Sequence, residues 1–198
     1  MRVVYAREPE LAEKLFRFRY EMYVSHLKWL NGKDYPHGIL HDSFDGHSYN
    51  YVALDENIVV GSVRITLDGP KGLPLELCNS LDGFRKDRAI AELGRLVVDH
   101  RYDKNLLGAL LMKSGYQCAV QHGANYIVID IFLESQDFYL KMGFIQIGDK
   151  YDDPNFNFNG PSVTMALDCI AAQMEWSSTH PRLYRFFTIP DNRIEHSE

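Results

Sequence analysis

Cysteine is scarce. The 198 residues hold three, Cys78, Cys118 and Cys169, too few and too widely spaced for a disulfide scaffold or a cysteine-rich zinc site, so they read as reduced structural thiols. Positive charge is also short: 21 Lys and Arg face 27 Asp and Glu, and the formal charge of -6 gives no general attraction to nucleic acid or an anionic membrane. No run approaches the ~18 uncharged apolar residues of a membrane span. The opening MRVVYAREPE lacks the apolar core of a secretion signal, so the expected location is the cytoplasm. Repeats and low-complexity tracts are absent. His37, His41 and His47 share one loop without a zinc constellation, and no metal is expected.

What is present is an ordinary apolar fraction of 45% with 12 Tyr and 11 Phe, which fits either a deep apolar pocket with hydroxyl handles or a large aromatic core. The length fills one core, or one core with an appended lobe. We therefore expect a single α/β domain over residues 1–168 and a C-terminal extension, 169–198, folded back on it and frayed at its end.

Periodicity predicts strands at Val3–Tyr5, Tyr49–Leu54, Val59–Leu67, Ala91–Val98, Tyr126–Phe132 and Ser162–Leu167, with another beginning at Phe144. Helices are predicted from Pro9 to Trp29, from Lys104 to His122, over Ser135–Met142 and over Cys169–Trp176. The first has Leu11, Leu15, Phe18, Met22 and Leu27 as its apolar stripe. Asn31–Tyr49 and Gly69–Arg88 are irregular crossings punctuated by Gly and Pro. Together these elements make a mixed, twisted sheet flanked by helices.

The most informative stretch is Glu92–Leu111, ELGRLVVDHRYDKNLLGALL, where an apolar strand leads through a short polar turn into an amphipathic helix. Free N–H groups of a helix start at a strand end suit the phosphates of a large cofactor, which points to the handling of an acyl thioester. Arg101, Lys104 and the turn through Gly108 either grip phosphate or form a solvated basic turn.

Val97-Val98-Asp99-His100-Arg101-Tyr102 with Leu107-Gly108-Ala109-Leu110-Leu111, and later Phe138-Tyr139-Leu140-Lys141-Met142-Gly143-Phe144, resemble two motifs of the Gcn5-related N-acyltransferase superfamily. These are its donor-binding strand, pyrophosphate turn and helix, and its motif with a tyrosine near the departing thiol. In the front half, Phe16-Arg17-Phe18-Arg19 with Tyr23 and Trp29, Asp42-Ser43-Phe44-Asp45, Gly61-Ser62-Val63-Arg64 and Glu92-Leu93-Gly94-Arg95 are similar to one branch of that superfamily. That branch holds the acyl-homoserine-lactone synthases and the N-acyl amino acid synthases. The resemblance implies that Leu96, Val97, Val98, Arg101, Lys104 and Gly108 meet the donor, while Arg19, Trp29, Asp42, Asp45, Arg64 and Arg95 bind or organise the amino substrate. It also implies a donor on acyl carrier protein or coenzyme A, a small amine such as an amino acid as acceptor, and no tightly bound cofactor. Two departures stand out. Leu40 and His41 precede Asp42 where the lactone synthases carry an acid, which weighs against S-adenosylmethionine, and Lys104 and Leu106 replace the usual glycines of the phosphate turn.

Amide formation from a thioester needs a neutral amine, a proton route, a polarised carbonyl and help for the thiolate. Glu92 is either the general base, direct or through water, or the partner of Arg64 or Arg95 in a structural salt bridge. Tyr139 is either the hydroxyl donor to sulfur or an ordinary half-buried aromatic. Backbone donors near Leu96–Val98 polarise the carbonyl if sheet pairing is interrupted there. Arg19 and Arg64 either clamp a substrate carboxylate or are tied to Asp42 and Asp45; Asp45 alternatively attracts an ammonium. The strand Ile127–Phe132 supplies an apolar wall. No cysteine sits in a Cys-His arrangement, so direct attack is expected. The rival readings are a lactone synthase using S-adenosylmethionine, a small-amine acetyltransferase and a non-catalytic acyl sensor.

Overall fold

The computed structural model describes every residue except 159 and 196–198; the end expected to fray falls partly on the latter, outside the described residues. Seven strands form one sheet: β1 (Arg2–Tyr5), β2 (Ser48–Asp55), β3 (Ile58–Leu67), β4 (Ile90–Val98), β5 (Tyr126–Phe132), β6 (Ile145–Tyr151) and β7 (Ser162–Asp168). Their spatial order is β1-β2-β3-β4-β5-β7-β6, and every neighbour is antiparallel except β4 and β5. That one parallel pair requires a crossover, which α3 (Lys104–Gln121) provides.

Strand alternation sorts the core onto two faces. Val3, Tyr51 and Ala53 pack with Leu107, Leu111 and Met165 beneath α3, while Val4, Val52 and Leu54 pack with Leu15, Phe18 and Met22 of the opposite layer. α3 lies close on the sheet because glycine stands at both contacts. A Cβ on Gly61 would meet Leu111 at 2.9 Å, and one on Gly115 would meet Leu93 at 2.6 Å.

The opposite layer is α1 (Pro9–Tyr20), started by Pro9 in its first turn. The sequence expectation of one helix through Trp29 needs correction. Regular α geometry stops at Tyr20, a π-helical turn carries the chain from Glu21 to His26, and Lys28 at φ 55° ends it. A wider turn admits an extra residue, and it leaves Met22 and Tyr23 both buried.

Between β3 and β4 the chain makes a 3-10 turn, Pro74–Leu77, and a single helical turn, α2 (Asp82–Arg85). Arg85 clasps this crossing by bonding Asp68 and Glu76 at once, at 2.6–2.9 Å. After β5 comes the short α4 (Gln136–Leu140). Beyond β7, Asp168 caps α5 (Cys169–Thr179) through the N–H groups of Ile170 and Ala171, and α6 (Pro181–Thr188) follows. Phe187 stacks on buried Trp176 at 5.1 Å, and Ile194 bridges to Val3 of β1. No helix among the described residues is long and apolar enough to cross a membrane.

Candidate active site

The site begins where the sheet opens. β4 and β5 pair from Ile90↔Tyr126 to Glu92↔Val128; beyond that rung β4 has no strand partner on its β5 side among the described residues. On its other side the ladder to β3 slips between Ser62 and Arg64, opposite Arg95, which takes φ 53°. A non-glycine residue held there is strained, and such a bulge re-aims side chains and unpairs backbone groups. The interruption expected near Leu96–Val98 therefore lies in the stretch from Leu93 to Val98.

A cavity of about 670 Å³ fills this opening, a volume suited to a drug-sized ligand. Trp29, Asp42, Arg64, Glu92, Arg95, Leu96 and Tyr139, all expected site residues, line it together. Arg19 and Asp45 lie buried behind it. Val97, Val98, Arg101, Lys104 and Gly108 are not part of its lining.

Arg64, Arg95 and Asp42 line its floor, backed by the buried pair of Arg19 and Asp45. Arg19, wholly buried, gives one nitrogen to Asp45 at 2.7 Å and another to Asn50 at 2.7 Å. Arg64 forks onto both oxygens of Asp42 at 2.7 and 2.8 Å, and Arg95 reaches the same carboxylate at 3.1 Å. The Asp42-Ser43-Phe44-Asp45 segment holds its own shape, since Asp45 accepts the Asp42 N–H and Asp42 accepts the Phe44 N–H, each at 2.9 Å. Burial acts against ionisation of Asp42, but the charge and hydrogen bond of Arg64, with Arg95 behind, outweigh it and bring the carboxyl down to about 2. Burial lowers Arg19 to about 10, which still leaves it charged at neutral pH.

Glu92 stands apart from this network. Arg64 and Arg95 pair with Asp42, so the salt bridge weighed for Glu92 is not formed. Its Oε2 accepts the Leu75 N–H at 2.8 Å, and no other hydrogen bond engages the carboxyl among the described residues. Burial pushes the group up to about 7, only partly countered by the Leu75 N–H and Arg64. Gly94 makes room for it: a Cβ there would lie 3.1 Å from Glu92 Oε1.

Across the cavity, Tyr139 projects from α4 and packs edge-on to Phe144 at 5.5 Å. Burial pushes its hydroxyl up to about 12, so it holds its proton. Trp29 packs edge-to-face with Phe132 at 5.0 Å and with Phe156 at 6.4 Å, which makes one wall aromatic.

The turn into α3 differs from the expectation of free helix-start donors. Asp103 Oδ1 accepts the N–H groups of Asn105 and Leu106 at 2.9 and 3.2 Å. Arg101 is turned onto Asp99, which takes both its backbone N–H and its guanidinium at 2.6–3.1 Å. A carboxylate of the chain itself thus takes two of the helix-start donors.

Sequence reasoning missed Leu75 and Asp130 as site residues. Leu75 carries no chemical signal, since it acts through its backbone. Asp130 had one, a lone charge inside the apolar run Ile127–Phe132.

The family model described as the N-acyl amino acid synthase FeeM matches residues 14–168. Among solved structures, the chain is similar to FeeM, an N-acyl amino acid synthase from uncultured soil microbes, with 18% identity, a TM-score of 0.71, and 87% of this chain and 92% of that one covered. It is also similar to BjaI, a CoA-dependent acyl-homoserine lactone synthase, with 18% identity, a TM-score of 0.71 and coverage of 99% and 93%. The same holds for MesI, another CoA-dependent lactone synthase, with 19% identity, a TM-score of 0.70 and coverage of 99% and 100%. At these identities the structural likeness is one of fold. No curated protein sequence matches the chain significantly.

Proposed function

The chain belongs to the FeeM family of N-acyl amino acid synthases, an acyltransferase lineage within the Gcn5-related superfamily, and from that premise we propose that it joins a medium- or long-chain acyl group, carried as a thioester, to the amine of an amino acid or related small molecule. The observation that carries this reading is Glu92, a buried carboxyl with an uncommitted oxygen and a proton affinity near neutrality, at the point where β4 leaves its partner strand.

In this reading Glu92 takes one proton from the acceptor ammonium, and the freed nitrogen attacks the thioester carbon. Backbone N–H groups of the opened stretch of β4 face the developing oxyanion. As the C–S bond breaks, the Tyr139 hydroxyl gives its proton to sulfur and recovers one from water, while the second nitrogen proton leaves with solvent as the amide forms. Arg95, only partly used by Asp42, offers its remaining guanidinium N–H groups to an acceptor carboxylate. The aromatic wall at Trp29 and Phe132 receives the acyl chain.

Gly94→Ala tests the placement of the base. The added methyl presses on Glu92 Oε1, and turnover is expected to fall about tenfold, since small misplacements of a reacting group are costly, with little change in melting temperature.

The self-capped start of α3 favours a carrier-protein donor over coenzyme A, because a nucleotide phosphate would have to displace the Asp103 carboxylate. Mass spectrometry of mixtures containing either thioester and a broad panel of amines tests both statements. Amide is expected, with kcat/KM at least about tenfold higher for the carrier-protein donor, the equivalent of about 1.4 kcal/mol. Equal use of coenzyme A removes the donor preference; no amide from either donor removes the acyltransferase reading itself.

A further inference from the structure

Asp130 interrupts an otherwise apolar strand and faces the same cavity as Glu92. Glu92 pairs with Val128 on the last rung of the parallel ladder, and Asp130 lies two residues further along β5, on the same face. From a rise of ~3.3 Å per residue and a strand spacing of ~4.8 Å, the Glu92 and Asp130 Cα atoms stand about 8 Å apart across the opening.

The polar neighbour of the Asp130 carboxyl is the Tyr151 hydroxyl, a neutral group that leaves the carboxylate's charge unpaired. No side-chain cation answers the carboxylate among the described residues. The site's arginines point elsewhere: Arg64 and Arg95 pair with Asp42, and Arg19 with Asp45. Burial, eased in part by the Tyr151 hydroxyl and added to by the charge of Asp153, pushes Asp130 up to about 6, so it is still mostly ionised at pH 7. A half-buried carboxylate whose charge no cation answers is costly to keep. The cost is recovered when a ligand supplies the missing cation.

Building on the acyltransferase reading, we propose that Asp130 is a specificity residue that receives a second positive charge on the acceptor, so that basic amino acids or diamines are preferred to amino acids with neutral side chains. The reacting nitrogen sits at Glu92, and a second ammonium, a few bonds away, sits at Asp130. No bond is made or broken at Asp130; its contribution is a charge-assisted hydrogen bond, made only by acceptors that carry the second cation.

The experiment measures kcat/KM with the full chain and an acyl-carrier-protein donor, comparing L-lysine, L-ornithine and putrescine with L-leucine and L-tyrosine. The basic set is expected to lead by about tenfold or more, and Asp130→Asn to collapse that ratio toward one. Asp130→Ser repeats the test with a smaller side chain, and the wild-type ratio stands as evidence even if a variant folds poorly. A wild-type ratio at or below one, or a ratio unmoved by both variants, overturns the proposal while leaving the acyltransferase reading intact. Absence of amide from every acceptor overturns both.

Discussion

Glu92→Gln lowers kcat/KM for amide formation by about 10²–10⁴-fold, the range that general base catalysis supplies. Gln keeps the shape and still accepts the Leu75 N–H, so the loss isolates the proton-accepting step. With the carboxyl pushed up to about 7, wild-type kcat/KM should rise with pH as Glu92 ionises and then lose this dependence above neutrality; the variant should lack that limb. Stability moves the other way. The folded group binds its proton more tightly than the unfolded one, so its cost is absent below the ordinary value of 4.5, grows through about pH 7, and is complete above it. That gap corresponds to about 3 kcal/mol as an upper bound. Glu92→Gln should therefore melt higher than wild type at pH 8 by more than it does at pH 5. A variant within a few-fold of wild-type activity would reduce Glu92 to an orienting group.

Asp45→Ala costs about 3–5 kcal/mol of folding stability, the penalty for stranding a buried charge. Arg19 has no exposure and loses its 2.7 Å partner, while Arg64, 3.6 Å from the same carboxylate, loses a neighbour of opposite sign. Denaturant unfolding gives the number directly, and against a typical total of about 5–15 kcal/mol it is large. Replacing both partners with apolar residues, Arg19→Met with Asp45→Leu, should recover much of the loss, because the cost lies in the unpaired charge and not in the missing contact. A double variant as unstable as the sum of the two singles would show no coupling between Arg19 and Asp45, and would place the loss in contacts each makes separately.

The strands were legible wherever burial is two-sided. The boundaries of β5 coincide with the apolar run Tyr126–Phe132, and α3 starts at Lys104 as its pattern implies. The end of α1 was not legible, because its π-helical turn is set by the packing of Met22 and Tyr23 and not by local propensity. The bulge at Arg95 was hidden for a related reason: nothing about an arginine announces φ 53°, a conformation imposed by the sheet around it. Asp103 was readable as a helix cap from its residue type and place, and that reading conflicts with a free phosphate cradle on the same turn. The tie of Arg19 and Arg64 to Asp45 and Asp42 was one of two alternatives the residues offered, and the geometry forms it; that Arg95 joins Asp42 required a third segment to meet them in space, which spacing along the chain does not report.

The clasp of Arg85 on Asp68 and Glu76 reaches further than loop architecture. It braces the crossing whose Leu75 N–H holds Glu92, and that hydrogen bond is a force keeping the carboxyl from rising still higher. The acidity range in which the site works is therefore adjustable from outside the cavity. Inherited changes at Arg85, Asp68 or Glu76 offer a lineage a route to a new working pH, with every residue that lines the cavity left in place.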